Sequence, residues 1–208
     1  MQLRERFLQN GLLYTHDLHL IEVFWSEIEK RYTEKGRHYH NFDHLKNMFS
    51  ELDKVKDEIK RYDIISFSVF YHDVIYDASS KSNEEKSARF SEKHLQQIDA
   101  EVGFIEKISQ QIMATKFHEE SGDNDTNYLV DADLSVLGQE PENYKDYTQK
   151  IRKEYSIYPD FLYNPGRRKV LRHFLESESI FKTEYFREKY EQQARKNILS
   201  EIEYLNLG

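Results

Sequence analysis

Four of the histidine and aspartate residues in this chain, at three places, follow one another in an order that suits a metal site. They are His44, then the adjacent pair His72 and Asp73, and then Asp133. Two imidazoles and two carboxylates form a mixed N/O donor set that suits Mn, Fe, Co, Ni, Zn or Mg and leaves coordination positions for water and a substrate. An ion held in this way lowers the pKa of bound water and polarises a phosphoryl oxygen, as phosphate-ester hydrolysis requires.

Each of these side chains falls on a separate predicted helix. At 100° per residue, His44 lies on the flank of the apolar stripe of a helix predicted over 41–59. A helix predicted over 63–75 is apolar nearly all round, as a central buried helix is, and delivers His72 and Asp73 at its end. An imidazole buried beside a carboxylate is unfavourable unless its charge is paired, and a metal ion would pair it.

Two carboxylates compete for the last position of the set. In a helix predicted over 128–137, Asp133 shares the side of the apolar stripe that includes Val130, whereas Asp131 projects to the other flank. Asp133 is therefore the predicted ligand. Asp131 is predicted to support a ligand from behind, to cap a helix or to be solvated.

The rest of the chain is predicted to be helical too. Only 7 Gly and 3 Pro occur in 208 residues, and apolar residues recur mostly at spacings of three and four. Aromatic residues make up 14% of the chain and supply large buried areas. No repeat, low-complexity tract or Pro/Ser-rich linker marks a boundary, so residues 1–208 are predicted to form one all-α domain. The other predicted helices are 12–34, 83–98, 101–118, 141–157, 166–177 and 183–205.

Composition argues against several kinds of partner. The net charge of −8 disfavours broad binding to nucleic acid or to anionic lipid. The absence of Cys excludes disulfides, thiolate ligands and cysteine nucleophiles. The first residues carry no apolar secretory core, and the longest apolar run, 64–71, is far below the roughly 18 residues that a spanning helix needs. We expect a cytoplasmic protein without nucleic-acid or membrane partners.

Five segments are distinctive sequence motifs: RHYHNFDH (37–44), YHDVIYD (71–77), NEEKSA (83–88), ATKFH (114–118) and DADLSVLG (131–138). With the order His44, His72-Asp73, Asp133, they resemble a branch of the HD superfamily of metal-dependent phosphohydrolases whose members have about this length. The resemblance implies an HD-domain helical bundle with a motif core at about 37–138. The segment 141–205 also resembles that branch and is expected to pack on the core as helices. An HD dipeptide alone is not specific, since His16-Asp17 occurs without partners.

The resemblance also implies roles for individual residues. His44, His72, Asp73 and Asp133 would bind one divalent metal ion, and Asp73 would also accept a proton from the attacking water. Glu84 follows the HD pair on the next predicted helix and is a candidate general acid or base, as a carboxylate after that pair is in some HD nucleotidases. Helix N-termini favour glutamate in any case, which is the alternative explanation.

Four further residues are candidates for binding the substrate. Arg37 and His40 lie close to the first ligand in sequence, and arginine has the fork geometry that suits phosphate. His118 is predicted to bind a phosphate or to join a second metal ion, the alternative being a helix-terminal histidine that interacts with the helix dipole. Arg167 lies at the predicted start of a helix, where free backbone N–H groups favour anions, although a solvated surface position is the simpler alternative.

These expectations describe an enzyme that hydrolyses a phosphate ester, with a nucleotide or a related small metabolite as its substrate. The alternative, from another class, is a module that binds a metal ion or a phosphorylated ligand without hydrolysing it. His94 lies where dinuclear HD enzymes have extra histidines, but Glu92 and Lys93 beside it predict an exposed side chain.

Overall fold

The computed structural model describes residues 2–207, without the side chain of residue 207. Over this range the chain contains helices and no strand, which confirms the all-α prediction. The α-helices are α1 (Leu3–Gly11), α2 (Leu18–Tyr32), α3 (Phe42–Leu52), α4 (Tyr62–Tyr71), α5 (Asn83–Gln97), α6 (Val102–Ala114), α7 (Asn124–Leu134), α8 (Pro141–Glu154), α9 (Asp160–Glu176) and α10 (Glu184–Leu207). Two 3₁₀ segments, Asp53–Glu58 and Ser135–Gly138, follow α3 and α7.

The N-terminal region differs most from the prediction. The helix predicted over 12–34 corresponds to α2, which starts only at Leu18 because Asp17 caps it: the Asp17 side chain accepts a hydrogen bond from the backbone N–H of Leu20 at 3.0 Å. The His16-Asp17 dipeptide therefore starts a helix. Helix α1, Leu3–Gly11, was not predicted. Near the other end, α9 begins at Asp160 rather than 166, because Pro159, with φ −65°, already presets the backbone for helix entry.

Helix α4 is the centre of the core. Every residue from Ile64 to Tyr71 is buried, as predicted from its apolar composition. The helix packs against α1, α3, α5, α6 and α7. Its Phe70 ring meets the buried Phe7 ring edge to face, with centroids 5.1 Å apart. The end of α4 is therefore fixed from several sides, and that end carries His72 and Asp73.

The C-terminal helices contact the segment that follows Asp133. Helix α10 packs so closely on Ser135–Gly138 that a Cβ at Gly138 would lie 2.5 Å from the Cβ of Tyr190. The side-chain amide of Asn197 donates to the backbone carbonyl of Leu137 at 2.9 Å. These contacts hold the chain directly after α7 in place.

None of the helices in the described range combines the length and the apolar character that crossing a membrane requires.

Candidate metal site

Three helices bring the predicted ligands together. His44 lies in the first turn of α3, which starts at Asn41, where the side chain accepts from the N–H of Asp43 at 2.8 Å. His72 and Asp73 follow directly after the buried helix α4. Asp133 is near the end of α7, on the inward side that the stripe predicts. Because α4 packs on both α3 and α7, the three helix ends converge.

The predicted ligand atoms lie close together. His44 Nε2 is 3.1 Å from His72 Nε2, 3.2 Å from Asp133 Oδ1 and 3.8 Å from Asp73 Oδ2. His72 Nε2 is 3.0 Å from Asp73 Oδ2 and 3.9 Å from Asp133 Oδ1. Donors bound at about 2.1 Å from one ion lie roughly 3.0–3.4 Å apart at octahedral or tetrahedral angles. Three of the five distances lie in this range, and the two longer ones, 3.8 and 3.9 Å, do not. Of the four residues, His44, His72 and Asp133 form a group that could hold a metal ion.

The orientation of the His72 ring is fixed from behind. Its Nδ1 is 2.9 Å from the backbone carbonyl oxygen of Val69. A carbonyl can only accept, so Nδ1 carries the proton and, in the neutral ring, Nε2 presents its lone pair to His44 and the carboxylates. Fixing the tautomer through the outer nitrogen is the usual arrangement for a histidine that binds a metal ion.

Burial and charge act against each other in this cluster. Both histidines are 2% exposed and both carboxylates 15%. Burial disfavours the charged imidazolium, but the Asp73 carboxylate outweighs this and raises the pKa of His72 to about 9. Burial likewise opposes ionisation of Asp73, yet His72 holds the pKa of that carboxyl below its ordinary value. The pKa of Asp133 is also lowered, by its hydrogen bonds with His118 and His44, although burial opposes this.

His118 adjoins the four ligands. Its Nε2 lies 2.9 Å from Oδ2 of Asp133, the oxygen opposite to the one that faces His44. The residue follows α6 in the left-handed backbone region, at φ 54°. Its side chain is 20% exposed. His118 is therefore placed to orient Asp133 and to meet a ligand at the same time.

Arg37 is not free to bind a substrate. Its guanidinium donates to the backbone carbonyls of His40 at 3.1 Å, Asp73 at 2.6 Å and Val74 at 2.9 Å. The rings of Tyr32 and Tyr76 lie 5.1 and 5.7 Å from it, and the side chain is 3% exposed. The role predicted from its proximity to His44 is replaced by a structural one: Arg37 fixes the backbone that carries Asp73.

Arg167 is engaged elsewhere. Its Nε is 2.8 Å from Glu201 Oε1, and both side chains are almost fully buried. The guanidinium also donates to Tyr147 Oη at 3.3 Å. The predicted anion site at a helix start is absent because α9 begins earlier, so Arg167 lies within the helix. Tyr147, rather than Arg167, lines the cavity beside His44.

Two further predictions concern single side chains. Glu84 is half-buried in the first turn of α5 and makes no hydrogen bond or ion pair with the four ligands in the described structure. His94 is buried, not exposed as its neighbours suggested: it stacks on Phe24 at 4.2 Å, and its Nδ1 lies 3.0 Å from Tyr71 Oη. Glu27 is 3.2 Å from its Nε2. His94 has no contact with the four ligands.

His40 lies beside the predicted ligands and is held by a residue to which the sequence assigned no role. Its Nδ1 is 2.6 Å from Oε2 of Glu154, at the end of α8. Burial disfavours the charged ring, but the carboxylates of Asp73 and Glu154 outweigh this and raise the pKa of His40. No spacing rule links residues 40 and 154, so only the fold could reveal the pair.

A cavity of about 340 Å³ opens beside His44 and Asp133. Residues of α3 and α8 line it together with the segment after α7. Side chains with amide, hydroxyl or ammonium groups in this lining are Tyr39, Asn41, Asn47, Ser50, Ser135, Gln139, Asn143, Tyr147 and Lys150. Most of these groups are neutral and can both donate and accept hydrogen bonds.

The chain matches no protein-family model, no curated protein and no solved structure. The resemblance to HD phosphohydrolases is therefore a prediction from the motif residues.

Proposed function

We propose that this protein is a metal-dependent phosphohydrolase of the HD type, which acts on a phosphate ester of a nucleotide or a related small metabolite. The observation that supports it best is the convergence of His44, His72, Asp73 and Asp133 from three helices: the Nε2 atoms of the two histidines lie 3.0–3.9 Å from each other and from the carboxylate oxygens. Of the predicted set, His44, His72 and Asp133 each offer one atom within 4.8 Å of the others.

The four side chains would hold one divalent ion, of Mn, Fe, Co, Ni, Zn or Mg, which when bound polarises a phosphoryl oxygen and lowers the pKa of water. Asp73 accepts the proton that the attacking water loses, because its Oδ1 has no hydrogen-bond partner within residues 2–207 while Oδ2 faces His72. His118 donates to Asp133 or to the substrate through Nε2. Water attacks phosphorus and the ester P–O bond breaks.

The cavity would receive the part of the substrate that is not phosphate. Asn47, Gln139 and Asn143 offer amide groups that match the edges of a base or the hydroxyls of a sugar. A volume of about 340 Å³ lies in the range of small-molecule sites. This supports a small polar metabolite as the substrate.

One observation favours the second candidate, a module that binds without hydrolysis. Among the residues that line the cavity, Lys150 is the one lysine or arginine, and it is paired with Asp146 at 2.7 Å. Arg37 and Arg167 are both engaged with other groups. The metal ion and the histidines would therefore have to neutralise the charge of a phosphate. They could do the same for a ligand that binds without reacting.

Metal content per chain tests the proposal. We would purify the wild type, Asp133→Ala and the control Asp43→Ala, a neighbouring carboxylate that is 71% exposed, without chelators and analyse their metals. We expect about one ion per chain in the wild type and control and a loss in Asp133→Ala. Phosphate release from a panel of esters should then vanish with Asp73→Ala.

Two outcomes would contradict the proposal. If neither wild type nor variant takes up metal, even after addition of Mn, Co, Ni or Zn, the site is not a metal site. If metal binds and a phosphate ester raises the melting temperature without phosphate release, the second candidate is the better account, because a ligand stabilises whether or not it reacts.

A further inference from the structure

Glu154 connects α8 to the first ligand segment by three contacts. Its Oε1 accepts from the backbone N–H of Tyr39 at 2.7 Å and of His40 at 3.0 Å. Its Oε2 lies 2.6 Å from Nδ1 of His40. The carboxylate is 1% exposed, so these contacts replace its hydration. A buried glutamate with three donors is stabilised in the ionised form.

This arrangement determines where the protons of His40 are. An ionised carboxylate can only accept, so Nδ1 of His40 carries a hydrogen atom and donates it to Oε2. The other nitrogen, Nε2, has no hydrogen-bond partner within residues 2–207. The negative charge of Glu154 stabilises the doubly protonated ring, in which Nε2 also carries a hydrogen atom.

The free nitrogen belongs to a ring that lies beside the metal ligands. The His40 ring stacks on Tyr76 with centroids 4.1 Å apart, and its centroid is 6.0 Å from that of His44. The side chain is 18% exposed. Stacking and the bond to Glu154 together fix both the plane and the rotation of the ring.

We propose that Glu154 is a positioning residue of this site, which holds His40 so that its Nε2–H donates to an oxygen of the bound phosphate ester. The inference rests on the proposed function and assigns a role in it to α8, outside the motif core. If that oxygen is the leaving one, the electron pair of the breaking P–O bond goes to it, the Nε2 proton follows, and His40 keeps the proton on Nδ1. If it is a phosphoryl oxygen, the same N–H stabilises its negative charge.

The test is Glu154→Gln, with Glu191→Gln as a matched control. Glu191 also accepts from two consecutive backbone N–H groups, those of Ile180 and Phe181, but has no histidine partner. In Glu154→Gln the amide oxygen still accepts from the backbone, whereas the NH₂ group faces Nδ1. The His40 ring then keeps its proton on Nε2 but is neutral, with Nδ1 unprotonated, so its hydrogen bond to phosphate is no longer charge-assisted and is weaker. ¹⁵N NMR of the imidazole detects the unprotonated Nδ1.

Inorganic phosphate is the binding probe. We expect phosphate to shift the Nε2 resonance of His40 in the metal-loaded wild type and in the control, and its affinity to fall about tenfold or more in Glu154→Gln. Unchanged affinity, or a wild-type Nε2 that does not respond to phosphate, would overturn the proposal. His40→Gln provides a second variant with the same expected loss, should Glu154→Gln fail to fold. Because this probe requires no turnover, its result is separate from that of the hydrolysis assay.

Rates of hydrolysis of two kinds of ester show whether His40 donates to the leaving oxygen or to a phosphoryl oxygen. An alkyl phosphate needs a proton on its leaving oxygen more than an aryl phosphate does. A larger loss of kcat for the alkyl ester in Glu154→Gln would identify the leaving oxygen, and equal losses would identify a phosphoryl oxygen. Wild-type kcat and KM for both esters would contradict the role of Glu154.

Discussion

Replacing Arg37 with alanine should destabilise the fold rather than merely weaken substrate binding. The guanidinium donates to three backbone carbonyls, two of which belong to Asp73 and Val74. Residues 37–40 and 73–74 come from distant parts of the chain, and Arg37 joins them just beside the metal ligands. Without it, three carbonyls in a largely buried region lose a charged donor.

The size of the effect follows from these contacts. A hydrogen bond from a charged donor contributes about 1.5–3 kcal/mol, and contacts within one network are not additive, so we expect a loss of about 4 kcal/mol for Arg37→Ala. The lost packing between Tyr32 and Tyr76 acts in the same direction. For a chain of this size, the melting temperature should fall by roughly 8–16 °C.

Equilibrium unfolding in urea measures the loss directly, with Arg187→Ala as control. Arg187 is exposed and donates to one backbone carbonyl, that of Lys182, so its removal should change the free energy of unfolding by less than about 1 kcal/mol. A stability within about 1 kcal/mol of wild type for Arg37→Ala, together with weaker phosphate binding, would refute the reasoning and restore the substrate-binding role.

Two other predictions concern buried charge and protonation. Asp131→Ala should lower the free energy of unfolding in urea by about 3 kcal/mol, because the N–H groups of Lys182 and Thr183 lose their acceptor, while metal content, which depends on Asp133, stays at the wild-type value. His94 has a pKa lowered by burial, so the unfolded chain binds its proton below about pH 6.5 while the folded chain does not. Stability from this group is therefore present above pH 6.5 and lost as pH falls toward the lowered pKa. The difference in unfolding free energy between wild type and His94→Gln should narrow from pH 7.5 to pH 5.5, and a constant difference would contradict this.

The helices could largely be predicted from the sequence because their signals are local. The apolar run 64–71 identified a central helix, and α4 is that helix. The predicted start of the 12–34 helix was wrong because a capping residue determines where that helix begins. Asp17 caps α2 although apolar residues occur on both sides of it. Pro165 suggested a helix start, but the earlier Pro159 already serves that purpose.

The ligand set was also accessible from sequence, for a different reason. A side chain on the inward flank of an amphipathic helix must face the core, and the core is shared. His44 and Asp133 were therefore expected on the same interior as the end of α4, where the structure has them. Helical periodicity predicts which way a side chain faces but not how far apart two side chains lie. Only the structure therefore shows that atoms of His44, His72 and Asp133 are close enough together for one ion.

Partners that are remote in sequence could not be predicted. Arg37 and Arg167 suggested phosphate binding because a cation near a motif or a helix start is a reasonable anion site. Their actual partners are the carbonyl of Asp73 and the carboxylate of Glu201, which no local pattern connects to them. Glu154 received no role for the same reason, since it lies 114 residues away from His40 in sequence.

Three buried charged residues around this site, Arg37, Glu154 and Asp131, share one property: they bind backbone groups. Arg37 holds the carbonyl of Asp73, Glu154 holds the N–H groups of Tyr39 and His40, and Asp131 holds two N–H groups ahead of α10. Their charges are already compensated, so they fix the geometry of the ligands rather than bind a substrate. The groups left to bind one are polar atoms without such partners, above all Nε2 of His40 and the amides of the cavity. Recognition in this site should thus depend on hydrogen bonds more than on net charge, which agrees with a cavity whose lysine is already paired.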